Sequence, residues 1–99
     1  MLGGYQMEKV HLTEEEKLEI IKKYIKNNQL QVIPSKEKYK IAILNFLIES
    51  FNPEKQYTER EINEVLKSFY PDFAILRRYL VDYKLLERST DCRLYWVKK

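Results

Sequence analysis

The sequence predicts a mainly α domain closed by a small β-hairpin, and three observations carry that prediction. Thr13 with Glu16, and Thr58 with Glu61, stand three residues apart ahead of apolar periodic segments. At that spacing the threonine hydroxyl accepts from the glutamate amide while the carboxylate reaches back, so each pair marks a helix start. Ile62, Val65, Leu66 and Phe69 recur at i, i+3, i+4 and i+7, the period of one buried helix face. Residues 85–88 and 93–97 are short apolar-rich runs around a four-residue loop, 89–92, which reads as a hairpin.

A first helix is expected over residues 13–27, with Leu18, Ile21 and Ile25 as its stripe, Ile20 and Tyr24 widening it, and Asn27-Asn28 as the stop. Residues 30–33 end one position before Pro34 and are too short for a helix, so they read as one strand or an extended arm. Ser35 is placed to cap a second helix over 36–50. Ile41, Leu44, Ile48 and Phe51 give that helix one face, and Ile43, Phe46 and Leu47 extend it past a half-cylinder. A helix so apolar belongs at the centre of the core. Residues 52–55 read as a turn, and Tyr57 ahead of the cap pairs with Ile62 as a hydrophobic staple. A third helix follows over 59–69, a turn at 70–72 in which Asp72 is the cap, and a fourth helix over 73–83.

Ninety-nine residues make one domain with one core. Residues 1–12, which hold both glycines, read as a flexible tail, and 13–99 as the folded unit, with a winged core over 30–97. Hydrophobic residues at 44% and charged residues at 33% describe a globular chain. The longest apolar run, residues 41–48, falls short of the roughly 20 residues of a membrane span. One cysteine excludes a disulfide framework, and with no basic and apolar leader the expected compartment is the cytoplasm.

Catalytic chemistry finds few materials. His11 is the single histidine, Cys92 has no base near it in sequence, and no glycine beyond position 4 is present to build a phosphate loop. The acid pair Glu59 and Glu61 is explained by helix N-terminus electrostatics. No enzyme, metal or cofactor is therefore expected.

The succession helix, turn, helix, hairpin from residue 57 to 97 is the outline of a winged helix-turn-helix, here preceded by an extra N-terminal helix. In that architecture the fourth helix can enter the DNA major groove. Burying Phe73, Leu76, Leu80 and Tyr83 turns Ala74, Arg77, Arg78 and Val81 outward. The small Ala74 lets the backbone approach a groove, and an arginine fork can bond guanine or phosphate twice. Residues 88–99 hold Arg88, Arg93, Lys98 and Lys99 against Asp91, a net three positive charges, while the fourteen bases and fourteen acids of 1–87 cancel. Excess charge in the wing suits phosphate contact.

The opposing considerations are also explicit. Arg78 and Asp82 are four apart and can pair on the helix surface, either arginine can bridge to Glu61 or Glu64, and residues 57–88 carry six bases and six acids. Tyr24, Tyr57, Tyr79 and Tyr83 are expected to pack, and Tyr95 and Trp96 to point to opposite sides of the last strand. Two functions follow. One is a double-stranded DNA-binding transcriptional regulator that uses Ala74, Arg77, Arg78, Arg88, Arg93, Lys98 and Lys99, dimerising through helix one. The other is a winged-helix protein-interaction or dimerisation module with no DNA contact of its own.

The run 30–36, then Tyr57-Thr58-Glu59 with Asn63, then Asp72 with Leu76-Arg77-Arg78-Tyr79-Leu80-Val81-Asp82-Tyr83, then Leu86-Glu87-Arg88 and Tyr95-Trp96, resembles a small bacterial winged-helix domain family of unknown function. The resemblance covers residues 29–97. It implies a domain that occurs alone or attached to transcriptional regulators. This chain departs from the family pattern at Lys84 and Cys92, where glycine is common, and at Tyr70, where histidine is frequent.

Overall fold

The structure, a computed structural model, describes residues 12–98. The tail, His11 and Lys99 thus lie outside the described residues, apart from Leu12. Four helices and two small antiparallel sheets build a mainly α fold: α1 (Glu14–Tyr24), β1 (Ile25–Lys26), β2 (Gln29–Leu30), α2 (Glu37–Ile48), β3 (Gln56–Thr58), α3 (Glu59–Lys67), α4 (Phe73–Asp82), β4 (Leu86–Arg88) and β5 (Leu94–Val97). Among the described residues no helix is long and apolar enough to cross a membrane.

Both capping boxes are formed. The Thr13 and Thr58 hydroxyls each accept from the glutamate amide three residues on, at 3.1 Å, and the glutamates accept in return from the threonine amides at 2.9 and 2.8 Å. Asp72 caps α4 by accepting from the Ile75 amide at 3.4 Å. Ser35 does not cap α2, which begins one residue later than expected with Lys36 at the cap and no side-chain bond there.

Helix one is shorter than the 13–27 expected. The chain leaves it at Ile25 and enters a two-residue hairpin in which Ile25 faces Leu30 and Lys26 faces Gln29. Asn27 and Asn28, expected as a helix stop, supply the turn at φ 53° and 64°. Consecutive left-handed residues of asparagine type form the tight turn whose twist matches a hairpin. The reason the helix yields is tertiary. The Leu30 amide bonds the Phe69 carbonyl at 2.8 Å and the Leu30 side chain is buried, pinning β2 to the end of α3.

A second sheet element was illegible in the sequence. Residues 56–58, of which only Tyr57 and Thr58 have expected roles, as staple and cap, form β3 and pair with β5, Tyr57 facing Tyr95 and Thr58 facing Leu94. β5 also pairs with β4, so the strand order is β3-β5-β4. Tyr57 and Tyr95 are both buried, and the Tyr57 hydroxyl accepts from the Asn52 amide at 2.8 Å.

The core is one apolar cluster. Leu47, Ile62, Leu66, Leu76 and Leu80 have no exposed surface, and Ile41, Ala42, Ile43 and Leu44 place α2 at its centre as its composition predicted. No polar or charged residue among those described is buried. Full burial of a leucine or isoleucine side chain stabilises by about 1.5–3 kcal/mol, so this cluster fixes how α3 and α4 are rotated, and hence which side chains they show to solvent.

Helix α4 ends in a Schellman arrangement. The Lys84 amide bonds the Val81 carbonyl at 3.0 Å, the Leu85 amide bonds the Leu80 carbonyl at 2.9 Å, and Lys84 sits at φ 66°. In the β4–β5 turn, Cys92 stands at φ 61°. These are two of the positions where the resemblance implies glycine, and the left-handed backbone is the physical reason.

Candidate nucleic-acid interface

Helix α4 is rotated as its stripe requires. Leu76, Leu80 and Tyr83 are buried, Phe73 is half-buried, Ala74 and Arg78 are exposed, and Val81 is half-buried. The two arginines differ sharply. Arg78 keeps 77% of its side-chain surface exposed and lies 3.8 Å from Asp82, the pairing its spacing allows. Arg77 keeps only 22%. Its Nη1 donates to Asn63 Oδ1, and its Nη2 lies 3.9 Å from Glu59 Oε2.

The partners of Arg77 on α3 are therefore Glu59 and Asn63 rather than Glu61 or Glu64. They lie one helical turn apart on the α3 face turned toward α4. Glu61 is engaged elsewhere, in the Thr58 box and 3.6 Å from Lys55 Nζ. The Thr58 amide, aided by Lys55, holds its carboxyl below the ordinary range.

The hairpin residues stand in the open. Arg88, Arg93 and Lys98 are exposed. Arg93 keeps 86% of its side-chain surface and lies 3.8 Å from Asp91. The loop beside it is bonded internally: the Ser89 hydroxyl donates to Asp91 Oδ1 at 2.6 Å, and the Arg93 amide donates to the same oxygen at 3.1 Å. Those donors, Ser89 first, lower the Asp91 pKa. Trp96 is half-buried, and its indole donates to Glu87 Oε1 at 3.0 Å, on the side of β5 away from buried Tyr95.

The end of α4 and the base of the hairpin share one surface hollow of about 240 Å³, lined by Val81, Lys84, Leu86, Glu87, Arg88 and Lys98. Val81 lies one turn beyond Arg77 and Arg78, so the outward face of α4 runs into this hollow. The fold thus brings Lys84, Arg88 and Lys98 together, with Glu87 as the acid among them. Lys84 and Asn63 belong to this region, and both fall within the family resemblance, but neither was expected among the contact residues. The i, i+4 spacing of Glu59 and Asn63 on the face opposite the Arg77 stripe was the available signal for the second.

Among the described residues no group of three or more histidine, cysteine, aspartate or glutamate side chains is placed to hold a metal ion. Cys92 is a half-buried free thiol in the hairpin turn.

Residues 29–97 match the DUF2087 family, described as uncharacterized proteins conserved in bacteria. The chain belongs to that family. The matched span begins at β2 and ends at the last residue of β5, so it takes in α2, both sheet partners of β5, and the α4–hairpin surface except Lys98. It leaves α1 outside. No curated protein and no solved structure matches the chain.

Proposed function

We propose that this DUF2087 domain is a winged helix-turn-helix module of a bacterial cytoplasmic transcriptional regulator that grips double-stranded DNA through α4 and the β4–β5 hairpin. The order α2, β3, α3, α4, β4, β5 with strands ranked β3-β5-β4 supports the winged reading. The attachment of such domains to regulators, implied by the resemblance, points the same way. The observation that carries the proposal is the shared hollow, because it joins the α4 face to Arg88 and Lys98.

The roles differ from the sequence expectation at Arg77 and by the addition of Lys84, and Lys99 lies outside the described residues. Arg77 is held by Asn63 and Glu59, so it braces α3 against α4. Arg78, Lys84, Arg88, Arg93 and Lys98 remain as exposed donors. Such donors, outnumbering any base-reading group, position a duplex through its phosphates more than they read its bases.

The test is a duplex-binding titration with Arg78→Ala/Arg88→Ala. Affinity should fall about tenfold or more, and the salt dependence should become shallower by about 0.9 for each phosphate no longer neutralised. Unchanged affinity and slope would remove the interface.

The second reading, an interaction module that dimerises through α1, is favoured by Leu18. This residue is 57% exposed beside a hollow of about 550 Å³ between α1 and α2, where Leu12, Ile21, Ala42 and Phe46 also lie.

A further inference from the structure

Residues 22–40 hold six lysines, Lys22, Lys23, Lys26, Lys36, Lys38 and Lys40, against one acid, Glu37. Six minus one is five, so this stretch carries more net positive charge than the chain as a whole, which is at +3. The balance of residues 1–87 conceals it, because acids elsewhere offset it.

The fold gathers four of these lysines, Lys22, Lys23, Lys36 and Lys38, around Tyr24 and Tyr39, where the end of α1 meets the start of α2. The Tyr24 and Tyr39 rings lie 6.4 Å apart, and both line a hollow of about 450 Å³ with Lys22, Lys23 and the acid Glu19. The ammonium groups rest on tyrosine rings: Lys23 is 5.6 Å from the Tyr24 centroid, Lys36 and Lys38 are 5.6 and 5.8 Å from that of Tyr39, and Lys40 is 4.5 Å from that of Tyr79. Glu37 accepts from the Tyr83 hydroxyl at 3.4 Å. Among the described residues none of the six lysines forms an ion pair with a carboxylate.

We propose that this lysine–tyrosine surface is a second grip on the phosphate backbone of duplex DNA. It rests on the duplex-binding reading above but uses different residues. Three features select this partner. Like charges without carboxylate partners attract a polyanion, and releasing its condensed counterions drives association. The tyrosine faces are covered by ammonium groups, so the rings serve as seats for charge rather than as platforms for unstacked bases, which disfavours a single strand. Lysine acts as a point charge without a planar fork, which suits backbone contact rather than base reading. Tyr79 follows Arg78 on α4, so the two surfaces adjoin on that helix.

The experiment is a fluorescence-anisotropy titration of the full chain with a labelled duplex of arbitrary sequence over a range of salt. The variant Lys22→Gln/Lys23→Gln/Lys36→Gln/Lys38→Gln should bind about tenfold or more weakly at low salt, with the slope reduced by about 0.9 per phosphate released from the surface. The corresponding fourfold Lys→Arg variant should keep both. Should the glutamine variant melt early, Lys23→Gln/Lys38→Gln reads the same slope with fewer changes. Unaltered affinity and slope overturn this surface while leaving the α4–hairpin interface standing if Arg78→Ala/Arg88→Ala still weakens binding. Weakening confined to the lysine variants removes the α4–hairpin interface and keeps this one. Absence of duplex binding by the unsubstituted chain overturns both. Anionic phospholipid vesicles that bind these lysines more tightly than the duplex at equal salt overturn the assignment to DNA.

Discussion

Arg77 and Arg78 are neighbours in the chain in different physical situations. Arg77 lies against α3 with two partners and little exposed surface, whereas Arg78 stands in solvent with one loose partner. A hydrogen bond to a charged group contributes about 1.5–3 kcal/mol when sheltered, and partial exposure reduces this. Arg77→Ala should therefore cost about 1–2 kcal/mol and Arg78→Ala less than about 0.5 kcal/mol, read by urea denaturation. Equal small effects would show that the Asn63 contact holds nothing. Lys84 makes the opposite point. A side chain at φ 66° crowds its own backbone, a penalty that glycine avoids. Lys84→Gly should raise stability by about 0.5–1 kcal/mol and the melting temperature by several degrees. A lower melting temperature would mean that the lysine stem contributes more than the strain removes.

Among the elements, α3 depends on its N-terminal box. Thr58→Ala should cost about 1 kcal/mol, because it leaves the Glu61 amide without its side-chain acceptor at the entrance to the core helix pair. Thr13→Ala should cost less in the cooperative unfolding transition, since α1 buries only Ile20. The Glu61 carboxylate belongs to the same device. Its pKa in the folded chain is below its ordinary value, so the stabilisation is present above the unfolded pKa and is lost as pH falls through the folded one. Glu61→Gln should flatten the acid limb of the stability–pH curve relative to the parent chain. A limb of unchanged steepness would show that other carboxylates set it. The β1–β2 turn is a second such device, where two asparagines in left-handed conformation reverse the chain that α1 would otherwise have continued.

Across the fold as a unit, the two basic clusters and the exposed Leu18 stand at three separate surface hollows. The hairpin and the end of α4 present Lys84, Arg88 and Lys98, the α1–α2 junction presents the lysine–tyrosine cluster, and the outer groove of the same two helices presents Leu18. If that groove seats a second copy, Leu18→Glu should convert a dimer to a monomer in light scattering and leave the melting temperature nearly unchanged. A particle mass that does not respond to the substitution removes the groove as the dimer surface. Duplex binding by a Leu18→Glu monomer would further show that the basic surfaces act without a symmetric partner.

Much of this was written locally. The two capping boxes, the 3.6-residue stripes of α2, α3 and α4, and the apolar-rich runs on either side of the loop at 89–92 fix their elements through bonds and contacts within a few residues, so reading the sequence recovers them. β3 was not recoverable that way. Three residues acquire strand identity only by pairing with β5, nearly forty positions away, and no short-range signal encodes a long-range hydrogen bond. The same holds for the end of α1, which depends on Leu30 bonding Phe69, and for Arg77, whose role is set by two side chains on another helix. Residue order alone dictated which helices form, which faces α2, α3 and α4 bury and how many charges the chain carries, whereas on α1 the expected stripe residue Leu18 is exposed and Ile20 is the buried one. Which of those charges stand free and which are held was settled by the folded arrangement, because a carboxylate or amide from a distant segment can lie beside a guanidinium only after the core has set the helices in place.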